Sequence, residues 1–393
     1  MTTYTILIIL SGLVIFSYLF DLVASKTKVP SVLLLLLLGI GLRLLVDNLK
    51  IQTFNFLSIL PTLGTVGLIL IVFEGSLELK YDQHKNKIIK SAFFSALSIL
   101  LGTTSVITTI IYQISHHDLY TCIANAIPFS VISSAIAIPS AAALNNKDKE
   151  FVIYESSFSD ILGIIIFNFT ITNHSVTTSA FIGLGLSTFL ILLLSAIACV
   201  VLLYIMGRLV HHIKFFLIIA ILILVYAIGQ SHHLSSLVLI LSTGLFLNNA
   251  DTIQNVWFRS IFLYKNLTAD LSQLYQLSAE SAFILRTFFF VIFGFTMNIG
   301  ELNNKVVLAN GFFILITIYL IRMLFLKIFK KDTLGPILYI APRGLISILL
   351  YFNLPASLKI QEVGTPFLFL VVLGSSIVMT LGITLSKRNS VIE

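Results

Sequence analysis

Charge is what this chain lacks. Only 10% of its 393 residues are Asp, Glu, Lys or Arg, against about a quarter in an ordinary soluble domain. That scarcity excludes a water-solvated globule of this length. Alternation of polar and apolar residues is also missing, which excludes a membrane β-barrel. With two cysteines, Cys122 and Cys199, both inside apolar runs, neither a disulfide framework nor a thiolate metal centre is expected, and both read as packing residues. No acidic cluster resembles a magnesium site. No basic segment and small-residue cleavage site flank the first apolar run, so no cleavable leader is expected.

In place of charge the chain has apolar residues, at 58%, with mean hydropathy +1.03. They fall in runs long enough to cross a bilayer as helices, and lipid allows a spanning backbone to be helical or a closed barrel. The runs number about thirteen, at roughly 4–20, 29–46, 56–79, 88–113, 119–143, 151–172, 178–205, 214–229, 234–249, 273–299, 304–326, 334–354 and 364–386. An all-α polytopic membrane protein is the expected fold class, with no appended soluble domain.

The net charge of +7 does not point to nucleic acid, because of where it sits. Loops after odd-numbered spans hold Lys26, Lys28, Lys80, Lys85, Lys87, Lys90, Lys147, Lys149, Arg208, Lys214, Arg259, Lys265, Lys327, Lys330, Lys331, Lys387 and Arg388. Loops after even-numbered spans hold only Lys50, Lys305 and Lys359. Basic loops stay in the cytoplasm, so the N-terminus is expected outside and the C-terminus inside. Residues 250–272 mix Val256, Trp257, Phe258, Ile261 and Phe262 with Arg259, Lys265 and Asp270, and read as an interfacial helix.

Ionisable groups inside spans are costly, roughly 2.5–3.5 kcal/mol each on insertion scales. Arg43 and Glu78 are near span ends and can snorkel. Arg322 and Glu280 are read the same way, or as structural. Arg286 lies deeper and is a further site candidate. Span six is different: Glu155-Ser156-Ser157-Phe158-Ser159-Asp160 puts Ser156 and Asp160 four apart on one helical face. Glu155 and Ser159 share the adjacent face, and two carboxylates with the Ser156 and Ser159 hydroxyls are the oxygen donors that hard cations take.

Span five carries Pro128 and Pro139. Span twelve carries Gly335-Pro336 and Pro342-Arg343-Gly344. Proline removes a backbone donor, and a broken helix is tolerated in a membrane only inside protein or beside a cavity. With spans one to six and eight to thirteen taken as two halves of opposite orientation, joined by span seven, both broken spans are fifth. Breaks at matching positions point to a transporter's ion site. The expected organisation is a first repeat at 1–172, a linker helix at 178–205 and a second repeat at 214–386.

These stretches resemble the monovalent cation:proton antiporters, particularly the sodium/proton exchanger branch. Phe73-Glu74-Gly75-Ser76-Leu77-Glu78-Leu79 is similar to the family's F-E-G-G-L-E-L. Glu155 to Asp160 is similar to its E-S-x-x-N-D. Phe288 to Met297, with Gly294, is similar to its F-F-x-x-x-G helix. Arg343-Gly344 with Ser347 is similar to its R-G-x-x-S, and Lys28-Val29-Pro30-Ser31 to the start of its second helix. The resemblance implies that Asp160 takes the cation or a proton, with Ser156 and Ser159 beside it, and that Glu155 and Arg343 form a buried ion pair. It implies monovalent cations, protons and the bilayer as partners, a homodimer, a bacterial inner membrane and no cofactor. Two departures stand out. Ser159 replaces the family's Asn, which leaves one charge at the site and implies electroneutral exchange. Ala137-Ile138-Pro139 occupies the place of the family's Thr-Asp-Pro, so Ser133, Ser134 or Ser140 is expected to supply the lost oxygen.

A transport-inactive scaffold, a membrane enzyme and a channel are the rival readings. Ala137 and Ile138 favour the scaffold. His116-His117, His211-His212 and His232-His233 are the enzyme's only ligand candidates, and adjacent residues on a helix diverge by about 100°. No pore-filter motif supports a channel.

Overall fold

The computed structural model describes residues 3–27, 29–48, 60–79, 83–142, 144–173, 178–209, 214–232, 234–297, 300, 305–330 and 335–389. Lys28, Lys50, Lys80, Lys331, His211, His212 and His233 lie outside them.

Every regular element among the described residues is helical. The α-helices are α1 (Thr3–Thr27), α2 (Ser31–Asn48), α3 (Leu60–Glu78), α4 (Asn86–Ser115), α5 (Leu119–Ser130), α6 (Ser134–Ala141), α7 (Asn146–Thr172), α8 (Thr178–Arg208), α9 (Lys214–Ser231), α10 (Ser236–Asn248), α11 (Val256–Phe262), α12 (Leu267–Phe295), α13 (Lys305–Phe329), α14 (Leu345–Phe352) and α15 (Thr365–Asn389). Among the described residues, eight segments are long and apolar enough to cross a membrane, and three shorter apolar ones lie at Ser11–Ala24, Thr62–Leu77 and Ser236–Asn248. This is an integral membrane protein. Spans six and twelve fall outside that set for physical reasons: α7 carries the acids, and span twelve is divided between a 3-10 turn (Pro336–Tyr339), an irregular stretch and α14.

Two compact units emerge. The first comprises residues 1–64, 87–163 and 284–393, the second residues 65–86 and 164–283. In the first, a Cβ on Gly39 would strike the backbone of Val291 and Phe295, and one on Gly294 would strike the backbone of Leu36. Small residues thus bring α2 and the C-terminal part of α12 backbone to backbone, the standard means of packing helices in lipid. Arg43, half-exposed near the end of α2, pairs with Asp47 one turn on at 2.8 Å.

In the second unit α8, α9 and α10 pack together. Ser195 Oγ donates across to Leu239 O at 3.1 Å. Gly244 has no room for a Cβ against Ser76. The Lys214 ammonium and the Tyr264 hydroxyl both donate to Asp270 Oδ2, each at 2.5 Å.

Candidate ion-exchange site

Span five breaks at Val131–Ser133, between its two prolines rather than at either one. Pro128 lies within α5 and Pro139 within α6. Buried backbone polar groups need partners, and this break is served almost completely. At the C-terminal end of α5, the Arg343 guanidinium donates to Phe129 O (2.9 Å) and Ser130 O (3.3 Å). Ser347 Oγ reaches Val131 O at 3.5 Å. On the donor side, Ile132 N gives to Ser159 Oγ (2.9 Å), Ser133 N to Pro342 O (2.9 Å) and Ser134 N to Asp160 Oδ2 (3.1 Å). A cation therefore meets the negative end of α5, and a carboxylate meets the positive end of α6, the favourable sense for both helix dipoles.

Span twelve supplies the other half of the arrangement. Residues 340–344 have no regular secondary structure, and Gly344 precedes α14. A Cβ on Gly344 would lie 2.7 Å from Ser133 Oγ, so the close approach of the two broken spans admits a larger residue there only if the Ser133 side chain shifts. Arg343 is fully buried, and its amide donates to Ser375 Oγ.

Asp160, Ser133, Ser134, Ser159, Pro342, Arg343 and Gly344 are thus brought together. Among the described residues, two buried oxygens there have no protein partner, Asp160 Oδ1 and Ser133 Oγ. Ser156 is buried on the same helix, its hydroxyl donating to Val152 O. Ser140 is elsewhere, its hydroxyl turned to Ile136 O. Arg286 reaches Ala135 O at 3.4 Å, the carbonyl that Pro139, lacking an N–H, cannot serve.

One expectation is corrected, and one open choice is decided. Glu155 does not pair with Arg343; its Oε2 lies 2.8 Å from Arg322 Nη2, and its Oε1 accepts from Ser95 Oγ at 2.7 Å. Arg343 is taken up by helix-end carbonyls, and Arg322, on α13, lies beside α7. Of the two readings of Arg322, the structural one holds: it is fully buried and also donates to Ile337 O and Leu338 O of the 3-10 turn. Its signal in the sequence was an intramembrane arginine with no acid three or four residues away, which requires a partner on another helix. The shortfall at Ala137 and Ile138 is also displaced. Ala137 is buried within α6, and Ser133 and Ser134, one turn earlier, stand at the break beside Asp160.

The sequence matches the family model described as sodium/hydrogen exchanger, transmembrane, over residues 11–387. This chain belongs to the sodium/hydrogen exchanger family. The family is one of transporters, and this membership sets aside the enzyme reading. Among solved structures, the sodium proton antiporter MjNhaP1 from Methanocaldococcus jannaschii at pH 8 is similar, with TM-score 0.72 and 20% identity, over 98% of this chain and 99% of that one. An electron-microscopy structure of the same antiporter gives TM-score 0.69 and 20% identity, over 97% and 96%. At that identity the likeness establishes a shared fold. No curated protein matches the chain. Within the family's F-F-x-x-x-G helix, Gly294 is the residue that seats α12 on α2.

Proposed function

We propose that this exchanger-family member moves a monovalent cation against protons, and that the two compete for Asp160. The observation that carries the reading is the pair of buried oxygens without partners, Asp160 Oδ1 and Ser133 Oγ. A buried polar atom is normally hydrogen-bonded. A carboxylate and a hydroxyl left over at a helix break are the donors a desolvated sodium or potassium ion takes. Ser156 adds a hydroxyl on the same face of α7.

The ionised acid holds the cation, and the protonated acid does not. In either loaded state the charge at the site is largely neutralised, so moving it between the two faces is bearable. The empty ionised site is costly to move, which couples the fluxes. Ser159 brings no second carboxylate, which supports one-for-one, electroneutral exchange. Glu155, neutralised by Arg322, is structural in this scheme. Arg343 holds the α5 break open by taking its carbonyls.

The two inverted repeats with crossing broken spans belong to the same proposal. They are supported by breaks at the fifth place of each half and by the meeting of Ser133 with Pro342. The N-out, C-in orientation rests on the distribution of lysine and arginine, and a homodimer in a bacterial inner membrane on the family resemblance.

Proton flux in everted vesicles with a pH dye tests the reading, with sodium, potassium and lithium added in turn. Alkalinisation with one of them, abolished by Asp160→Asn, is expected. Flux that ignores Asp160, or none with any ion, overturns it.

A further inference from the structure

The segment after α10 has no part in ion exchange as proposed, and it has an unusual combination of properties. Residues Val256–Phe262 form a short helix capped by Asn255, whose side chain accepts from Phe258 N. Val256 is 81% exposed and Trp257 66%, with Ile253 and Ile261 also exposed. Interleaved and following are Arg259 and Lys265, both exposed and, among the described residues, without an ion pair. An apolar edge alternating with free cations is the pattern of a helix lying at a bilayer surface.

The segment is fastened on its other side. Gly207, at the end of α8, lies against the Tyr264 ring. The Tyr264 hydroxyl and the Lys214 ammonium, at the start of α9, share Asp270 Oδ2 at the start of α12. These contacts place α11 at the basic end of the second unit, where the exposed Arg208 also ends its helix. Tyr264 and Lys214 both engage the carboxylate of Asp270, the acid nearest in sequence to Lys265, through its Oδ2. Asp251 lies before the helix, lining a cavity with Asn248, Thr268 and Tyr275. The outward edge therefore presents net positive charge beside an aromatic and two aliphatic anchors.

The geometry points to α11 as a docking surface for anionic phospholipid headgroups, with Arg259 and Lys265 reading the charge and Val256, Trp257 and Ile261 entering the acyl boundary. Charge complementarity selects the occupant: zwitterionic lipid would satisfy the apolar edge and leave both cations without counter-charge, whereas each Lys or Arg near an anionic surface favours it by about fivefold. This inference is independent of the exchange chemistry.

Trp257 is the only tryptophan in the chain, so its fluorescence reports on α11 without labelling. The purified full chain is reconstituted in phosphatidylcholine vesicles containing a small fraction of phosphatidylglycerol. Bromine is placed on the upper part of the chains of one lipid or the other. Quenching per mole of brominated phosphatidylglycerol should exceed that of brominated phosphatidylcholine by about fivefold or more. The preference should vanish in Arg259→Gln/Lys265→Gln, which alters exposed side chains only, while Trp257 stays quenchable by lipid. Equal quenching by the two lipids in the wild type would overturn the inference. So would quenching by aqueous iodide alone, or protection from lipid and iodide together, which would place a second copy of the chain over α11.

Discussion

Arg322 offers the sharpest test of how the interior is wired. Its guanidinium is fully buried and lies 2.8 Å from a Glu155 carboxylate that is 1% exposed. Breaking a buried pair from one side costs about 3–5 kcal/mol, because the remaining charge is stranded. The two sides are unequal here. Without Arg322, the Glu155 carboxylate keeps, among the described residues, only the Ser95 hydroxyl. Without Glu155, the guanidinium keeps the carbonyls of Ile337 and Leu338. Arg322→Gln should therefore be the more damaging, near the top of that range, and Glu155→Gln nearer the bottom. The double variant leaves two neutral amides able to bond each other, so a coupling of roughly 1–3 kcal/mol is expected. Midpoints of thermal unfolding in detergent for the full cycle, followed by size exclusion, measure it. A parallel cycle on Glu155 and Arg343 should give a smaller coupling. If that second cycle gave the larger value, the wiring described here would be wrong.

Two further outcomes follow from local geometry. Gly344→Ala places a methyl 2.7 Å from Ser133 Oγ and 2.8 Å from Ile136 Cδ1; overpacking of this kind costs about 1–3 kcal/mol. Because the displaced hydroxyl belongs to the proposed site, the half-saturating cation concentration should rise more than the thermal midpoint falls, and an unchanged cation dependence would contradict that. Asp118 caps α5, accepting from Thr121 N and Thr121 Oγ1, and these bonds hold its carboxyl below the ordinary carboxylate range. A depressed folded-state value means the cap's contribution is present above the unfolded value and is lost as pH falls through the folded one. Asp118→Ala should remove about 1 kcal/mol at neutral pH and less at pH below both values, as melting curves across pH will report.

The placement of helices was legible because lipid enforces long apolar runs, and the runs at 88–113 and 304–326 correspond to α4 and α13. The existence of a break in span five was legible from Pro128 and Pro139. Its position was not, because proline forbids hydrogen bonds without dictating where the chain opens. The opening is set by Arg343, Ser159 and Asp160, which lie on other spans and offer partners to residues 129–134. Asp160 and its neighbours stood out through their density of oxygen on one helix. The partner of Glu155 was hidden: Arg322 and Arg343 are chemically equivalent in sequence, and only the packing of α13 beside α7 distinguishes them. The α11 segment showed its mixed character directly, since Trp257, Ile261 and Arg259 alternate within one turn or two.

The central claim is that a cation and a proton exclude one another at Asp160. Proton release on cation binding measures it most directly, using purified protein in weakly buffered detergent, a pH indicator and stepwise addition of the transported ion. The account predicts that wild type gives up a proton for each cation bound, that Ser133→Ala needs about tenfold more cation for the same release, and that Asp160→Asn releases none. Release that survives in Asp160→Asn, or cation binding with no release in the wild type, would contradict it.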